Sequence, residues 1–166
     1  MEICLSLGSN LGNRLNNLRR ARRLIGAVPG VKLLASSAVY ETEPVGVARE
    51  FQRKLFLNAV LVIEYPAPVG LLSKLRSIES AMGRVKNHPR NEPREIDIDV
   101  ICAETLRVRQ RDLVVPHPRW AQRRFVVRPL ADVRPRLRVP GRRRTVAQIL
   151  SSLPDTPKVV LFTRKW

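Results

Sequence analysis

Pro93-Arg94-Glu95-Ile96-Asp97-Ile98-Asp99-Val100 alternates apolar and polar residues and runs on into Ile101-Cys102. A period of two marks a strand buried on one face. Ile96, Ile98 and Val100 therefore face a core, while Asp97 and Asp99 project together from the other side. A strand is expected over 96–102. Just upstream, Leu72, Leu75, Ile78 and Met82 recur at helical spacing, ended by Gly83 and preceded by Pro66 and Pro68. Phe56 to Ile63 reads as another strand, and the stretch 31–43 is β-rich, closing at Pro44-Val45-Gly46. Further back, Asn13 caps a helix carrying Leu15, Leu18, Ala21, Leu24 and Ile25, with Gly26 near its end. Residues 2–7 form a first strand running into the turn Gly8-Ser9-Asn10. The order βαββαβ predicts an α+β sheet with helices on one face. Downstream the reading is a hairpin partner near 105–108, a short strand at 113–115, a helical turn within 118–124, a helix at 145–153 and a strand at 158–162. Without repeats or a linker, residues 1–166 are expected to be one domain.

Composition narrows the class. Hydrophobic residues make up 44% of the chain, enough for a core. No run of about 18 apolar residues occurs, so no membrane span is expected. The first residues lack a basic segment and a long apolar core, which argues against a secretory signal and for the cytoplasm. Cys4 and Cys102 lie in apolar runs and read as buried thiols. Lys and Arg number 31 against 14 Asp and Glu, a formal net charge of +17, and 25 of those cations are arginine. Arginine suits bidentate contact with phosphate. Either a nucleic acid or a polyphosphate substrate would answer such a surface. Aromatics make up only 5% of residues, which supplies few stacking platforms for single strands.

Chemistry concentrates in two places. Asp97 and Asp99, with Cα atoms roughly 6.5–7 Å apart, can hold one or two hard cations, or can be a solvated acidic face. The preceding stretch has two prolines and no periodicity, and carries Arg84, Lys86, Arg90 and Arg94, cations of the kind a magnesium-polyphosphate complex requires. It reads as a functional lid or as a solvated loop. The chain contains neither a Gly-x-x-x-x-Gly-Lys-Ser/Thr loop nor a kinase catalytic loop. His117 is flanked by Pro116 and Pro118, with Arg123 and Phe125 shortly after. Phe56 and Asn58 share one strand face, where a ring and an amide can read a flat heterocycle.

These segments together resemble the 6-hydroxymethyl-7,8-dihydropterin pyrophosphokinase family. The resemblance rests on Leu7-Gly-Ser-Asn-Leu-Gly12, Ser37-x-x-Tyr-x-Thr-x-Pro-x-Gly46, Phe56-x-Asn-Ala-Val60, Ile78-Glu-x-x-x-Gly-Arg84, Pro93-Arg-x-Ile-Asp-Ile-Asp99, Val115-Pro-His-Pro118 and Arg123-x-Phe-Val-x-x-Pro-Leu130. It implies a ferredoxin-like core with a mainly antiparallel sheet and a C-terminal extension. The implied activity is transfer of pyrophosphate from ATP to the pterin hydroxymethyl group in folate biosynthesis. By that resemblance Asp97 and Asp99 hold two Mg²⁺ ions, and Arg84 and Arg94 join them in catalysis. Glu79, Arg84, Lys86, Arg94, Ile98, His117 and Arg123 are implied to contact ATP. Thr42, Pro44, Val45, Phe56, Asn58, Asp97 and Phe125 are implied to form the pterin pocket. The expected partners are these two small molecules, with no membrane and no specific nucleic acid, and the expected state is a monomer.

The chain departs from the family pattern at Asn91-Glu92, where Trp-Gly is frequent before Pro-Arg, and at Lys86, where an arginine is frequent. The first exchange removes an aromatic and adds a negative charge; the second forfeits bidentate phosphate contact. Two other readings follow from the residues: a basic nucleic-acid-binding domain, and a pterin-binding relative with impaired catalysis.

Overall fold

The computed structural model describes residues 1–45, 51, 53–66, 68–83 and 93–166. Arg84, Lys86, Arg90, Asn91 and Glu92 lie outside that set.

Alternation along β1 (Glu2–Ser9) sends Ile3, Leu5 and Leu7 to one side of the sheet and Cys4, Ser6 and Gly8 to the other. This strand lies between β4 (Phe56–Glu64) and β5 (Asp97–Ala103), antiparallel to both. The β-rich stretch resolves into β2 (Lys32–Ser36) and β3 (Val39–Thr42), two halves of one broken strand along the other edge of β4. Ser37 keeps the ladder intact at the break: its N–H donates to the Val60 carbonyl at 2.9 Å, and its Oγ accepts the Val60 N–H at 2.8 Å. With β2 and β3 counted together, the spatial order of the core strands is fourth, first, third, second, the ferredoxin-like arrangement.

α1 (Arg14–Gly26) and α2 (Pro68–Ala81) cover one face, packing Leu18, Ala21, Ile25, Leu71, Leu75 and Ile78 on Leu5, Leu7, Leu61 and Ile63. Asn13 caps α1 as expected, its Oδ1 accepting the Asn16 N–H at 3.1 Å.

Helices on one face only is the expectation that fails. The opposite face is covered by α3 (Arg124–Val133) and α4 (Val146–Ser152), which bury Val126, Val127, Leu130, Val146 and Ile149 against Cys4, Val60, Val62, Ile101 and Cys102. The cause is visible in β4, whose residues Leu57 to Ile63 are all buried: an unbroken apolar run needs cover on both sides. α3 leaves no clear helical signature in the sequence, because Pro129 sits inside it and its apolar stripe is interrupted by arginines.

The hairpin near 105–108 is also corrected. Glu104 takes a positive φ of 40° and turns the chain off the sheet. Beyond it, β6 (Val108–Arg109) pairs with β7 (Val114–Val115) rather than with β5. The helical turn is a 3₁₀ turn over Trp120–Gln122. At the far end β8 (Val159–Thr163) joins the sheet beside β3. Cys4 and Cys102 are buried free thiols, directly opposite each other across β1 and β5. The hydrogen bond between them and their burial raise the Cys4 pKa, which leaves this thiol inert.

Candidate active site

Register brings the site together. Gly8 pairs with Asp97 on one side and with Asn58 on the other, so carboxylate, bare backbone and amide form one row across three strands. Ser6 and Asp99 form the next row on the same face. Gly8 is required by proximity, since a Cβ there would sit 3.3 Å from the Asn58 amide oxygen and 3.9 Å from the Phe56 ring. Above this floor opens a cleft lined by Thr42, Glu43, Val45, Phe56, Arg94, Arg123, Phe125 and Val126. The last three come from the start of α3, whose N-terminal end thus borders the cleft and adds its dipole to the positive field.

One half is flat and apolar with a polar edge. Phe56 and Phe125 supply rings, and buried Asn58 donates from Nδ2 to Thr42 Oγ1 at 2.7 Å. In that arrangement the Asn58 Oδ1 is directed away from Thr42. Val45 is exposed at the rim. Pro44, partly buried, is not among the residues lining the cleft.

The other half is ionic. The Arg94 guanidinium donates from Nη1 to Asp97 Oδ1 at 2.9 Å. Its Nε is buried with no hydrogen-bond partner among the described residues. Arg123 Nη1 stands 3.9 Å from Asp99 Oδ2, and its guanidinium lies 5.7 Å from the Phe125 ring centre. Burial and the neighbouring Arg119 lower the Arg123 pKa, opposed by the charges of Asp99 and Asp97. It stays protonated but underhydrated, a state that favours an incoming anion.

His117 is held by its backbone. Its N–H donates to the Ile101 carbonyl at 2.8 Å. Ile101 is an extra residue in β5: Leu5 faces Val100 and Cys4 faces Cys102, so Ile101 has no partner in β1. Burial, then Arg123 and Arg119, push the His117 pKa down to about 4. The ring is neutral at pH 7. Its Nδ1 accepts the Arg119 N–H at 3.2 Å, which puts the proton on Nε2.

Three expected ATP contacts are not among the residues that line the cleft: His117, Ile98 and Glu79. Ile98 packs its side chain into the core on the α1–α2 face. Glu79 is buried and accepts the Ile98 N–H on Oε1 at 2.9 Å, and neither residue lines the cleft. Of the other expected residues, Thr42, Val45, Phe56, Asn58, Arg94, Asp97, Asp99, Arg123 and Phe125 meet in the cleft. Ser6, Gly8, Glu43 and Val126 line it too and were missed. The signal for Gly8 and Glu43 is their place inside Leu7-Gly-Ser-Asn and Thr42-Glu-Pro, two of the stretches on which the resemblance rests.

Among the described residues no group of three or more His, Cys, Asp and Glu could form a protein cage for a metal. A pair of carboxylates at the edge of an arginine-lined cleft fits Mg²⁺, which uses one or two carboxylates and takes its other oxygens from phosphate and water.

A family model described as 7,8-dihydro-6-hydroxymethylpterin-pyrophosphokinase matches residues 4–135. The chain is 41% identical over 150 residues to the 2-amino-4-hydroxy-6-hydroxymethyldihydropteridine pyrophosphokinase of Methylorubrum extorquens, covering 90% of this chain and 91% of that one. Its counterpart in Bacillus subtilis is 36% identical over 130 residues, or 78% of this chain and 75% of that protein. The folate synthesis bifunctional protein of Arabidopsis thaliana is 38% identical over 133 residues, only 27% of its length. Among solved structures, a Plasmodium falciparum HPPK-DHPS chain superposes with a TM-score of 0.69 at 15% identity, over 90% of this chain and 42% of that one, a likeness of fold.

Proposed function

The chain belongs to the 7,8-dihydro-6-hydroxymethylpterin-pyrophosphokinase family, and from that premise we propose that the cleft beside Asp97 and Asp99 is where its reaction takes place. The protein is an ATP-dependent transferase that moves pyrophosphate from ATP to the hydroxymethyl group of 6-hydroxymethyl-7,8-dihydropterin in folate biosynthesis, leaving AMP. The observation that carries the assignment of the site is the meeting, in one cleft, of a carboxylate pair, two arginines, two aromatic rings and a buried amide.

In this reading Phe56 and Phe125 sandwich the pterin, and Asn58, oriented by Thr42, reads its polar edge. Pro44 shapes the bend that carries Val45 to the rim. The primary alcohol then lies over Gly8, beside Asp97. Arg94 and Arg123 take the phosphate oxygens, and Arg84 and Lys86 add cations from the stretch before Pro93. Neutral His117 contributes a hydrogen bond from Nε2 to the nucleotide rather than a charge. Asp97 and Asp99 would hold two Mg²⁺ ions, which when bound neutralise phosphate charge and fix the triphosphate in line with the alcohol. No covalent nucleophile is required: positioning and charge neutralisation carry a phosphoryl-type transfer. The position of Glu79 supports a role in holding β5 rather than in touching ATP.

Residues 1–166 act as one domain in this proposal, supported by the pairing of β8 with β3 and by the ion pair of Arg134 with Glu2 at 2.7 Å. The proposed state is a cytoplasmic monomer, checked by size exclusion and fractionation. Among the described residues no helix is long and apolar enough to cross a membrane. The test of the site is AMP release with Mg²⁺ and ATP, with and without the pterin, in the wild type and in Asp99→Ala. Pterin-dependent AMP lost in the variant supports the site; pterin-dependent AMP that survives Asp99→Ala overturns it.

A further inference from the structure

The motif Leu7-Gly8-Ser9-Asn10-Leu11-Gly12 is only partly used by the cleft. Gly8 forms its floor, but Asn10 does not line it. Yet Asn10 is 5% exposed, a degree of burial that an amide on a tight turn does not need. Its partners explain it. The side-chain Oδ1 accepts the backbone N–H of Arg94 at 2.8 Å, and the Asn10 backbone N–H donates to the Arg94 carbonyl at 3.2 Å. One residue thus occupies both polar groups of the Arg94 peptide backbone, as a ladder partner would, although neither residue belongs to a strand. The turn that presents Asn10 is itself tied down: Asn17 of α1 donates from Nδ2 to the Leu11 carbonyl at 2.9 Å and to Ser9 Oγ at 3.3 Å.

We propose that Asn10 is a positioning residue of the reaction, which acts by holding the Arg94 backbone so that its guanidinium reaches Asp97 and the cleft. This rests on the role proposed above for Arg94. The geometry gives the clamp its purpose. Arg94 Nη1 meets Asp97 only three residues away, and the buried Nε has no partner among the described residues to steady it. A guanidinium so placed is aimed by its backbone. Removing the Asn10 acceptor leaves a part-buried N–H unpaired and lets the Cα of Arg94 drift. Drift of an ångström at a positioned group costs up to about 100-fold in rate.

Two readouts test this. Amide hydrogen exchange at Arg94 should show protection in the wild type, lost in Asn10→Ala and retained in Asn10→Asp, which keeps an acceptor. In turnover, Asn10→Ala should lower kcat by roughly 10- to 100-fold, and Asn10→Asp should recover part of that. Added to Arg94→Ala, Asn10→Ala should cause little further loss, because the side chain it positions is gone. Circular dichroism checks that each variant is folded; should Asn10→Ala fail to fold, Asn10→Leu, of similar size and without an acceptor, takes its place in both readouts. Unprotected exchange in the wild type, or losses that multiply in the double variant, overturns the inference. If Arg94→Ala turns over normally, the role of Arg94 falls and the inference with it. An impaired Arg94→Ala beside an unimpaired, folded Asn10→Ala overturns the inference alone.

Discussion

Glu79 reaches from α2 to the backbone of β5 and accepts the N–H of Ile98 at 2.9 Å, between Asp97 and Asp99. The bond is buried and connects the helix that covers one face of the sheet to the two carboxylates displayed on the other. Glu79→Ala leaves that N–H without its acceptor and should lower stability by about 1–3 kcal/mol. Glu79→Gln keeps an oxygen in place and should stay much nearer the wild type. Urea denaturation of the two variants checks this; equal midpoints would show that the bond contributes nothing.

Asp97 carries charge at the cleft, so its loss should remove turnover and spare the fold. Asp97→Asn should reduce AMP formation on the order of 100-fold or more, with an unchanged far-ultraviolet spectrum. Chelation of divalent cations should silence the wild type as completely and reversibly. Activity that survives the chelator would remove the metal from the proposal.

The neutral His117 ties stability to pH. Its pKa falls from 6.5 to about 4 in the folded chain, so between those values the unfolded chain binds the extra proton. Its contribution is fully present above pH 6.5 and is lost as pH falls through that window. His117→Gln removes this dependence. The urea midpoint should therefore drop less for the variant than for the wild type between pH 7 and pH 4.5. Parallel curves would show that His117 is not buried as described.

Thr42 and Asn58 provide a test confined to the proposed pterin side of the cleft. Thr42→Val keeps the shape but deletes the acceptor of the Asn58 amide, allowing the amide to turn over. The KM for pterin should rise about 10-fold, the scale of one lost hydrogen bond, with the KM for ATP nearly unchanged. A matched rise in both would mean that Thr42 supports the cleft as a whole.

The βαββαβ order was legible because β5 alternates with a period of two, the helices step by three and four, and β4 is one run, apolar apart from Asn58, closed by Pro66 and Pro68. The carboxylate pair was legible for the same reason, since a shared strand face follows from spacing alone. What stayed hidden depends on tertiary partners. α3 carries a proline and an arginine-broken stripe, and forms because β4 is apolar on both sides. Ile98 belonged to an expected set of ATP contacts, although its own alternation with Asp97 and Asp99 turns it toward the core. Asn10 looked like a turn residue, and its bond to Arg94 spans 84 positions that no local pattern joins.

The bulge at Ile101 separates two tasks. Pairing is regular on both sides of it, with Val100 opposite Leu5 and Cys102 opposite Cys4. A strand one residue shorter could close the ladder without moving Asp97 or Asp99 from their face. What it would give up is the carbonyl from which His117 hangs. β5 and the imidazole are thus coupled by a single surplus peptide, and a deletion there would uncouple them while leaving the sheet whole.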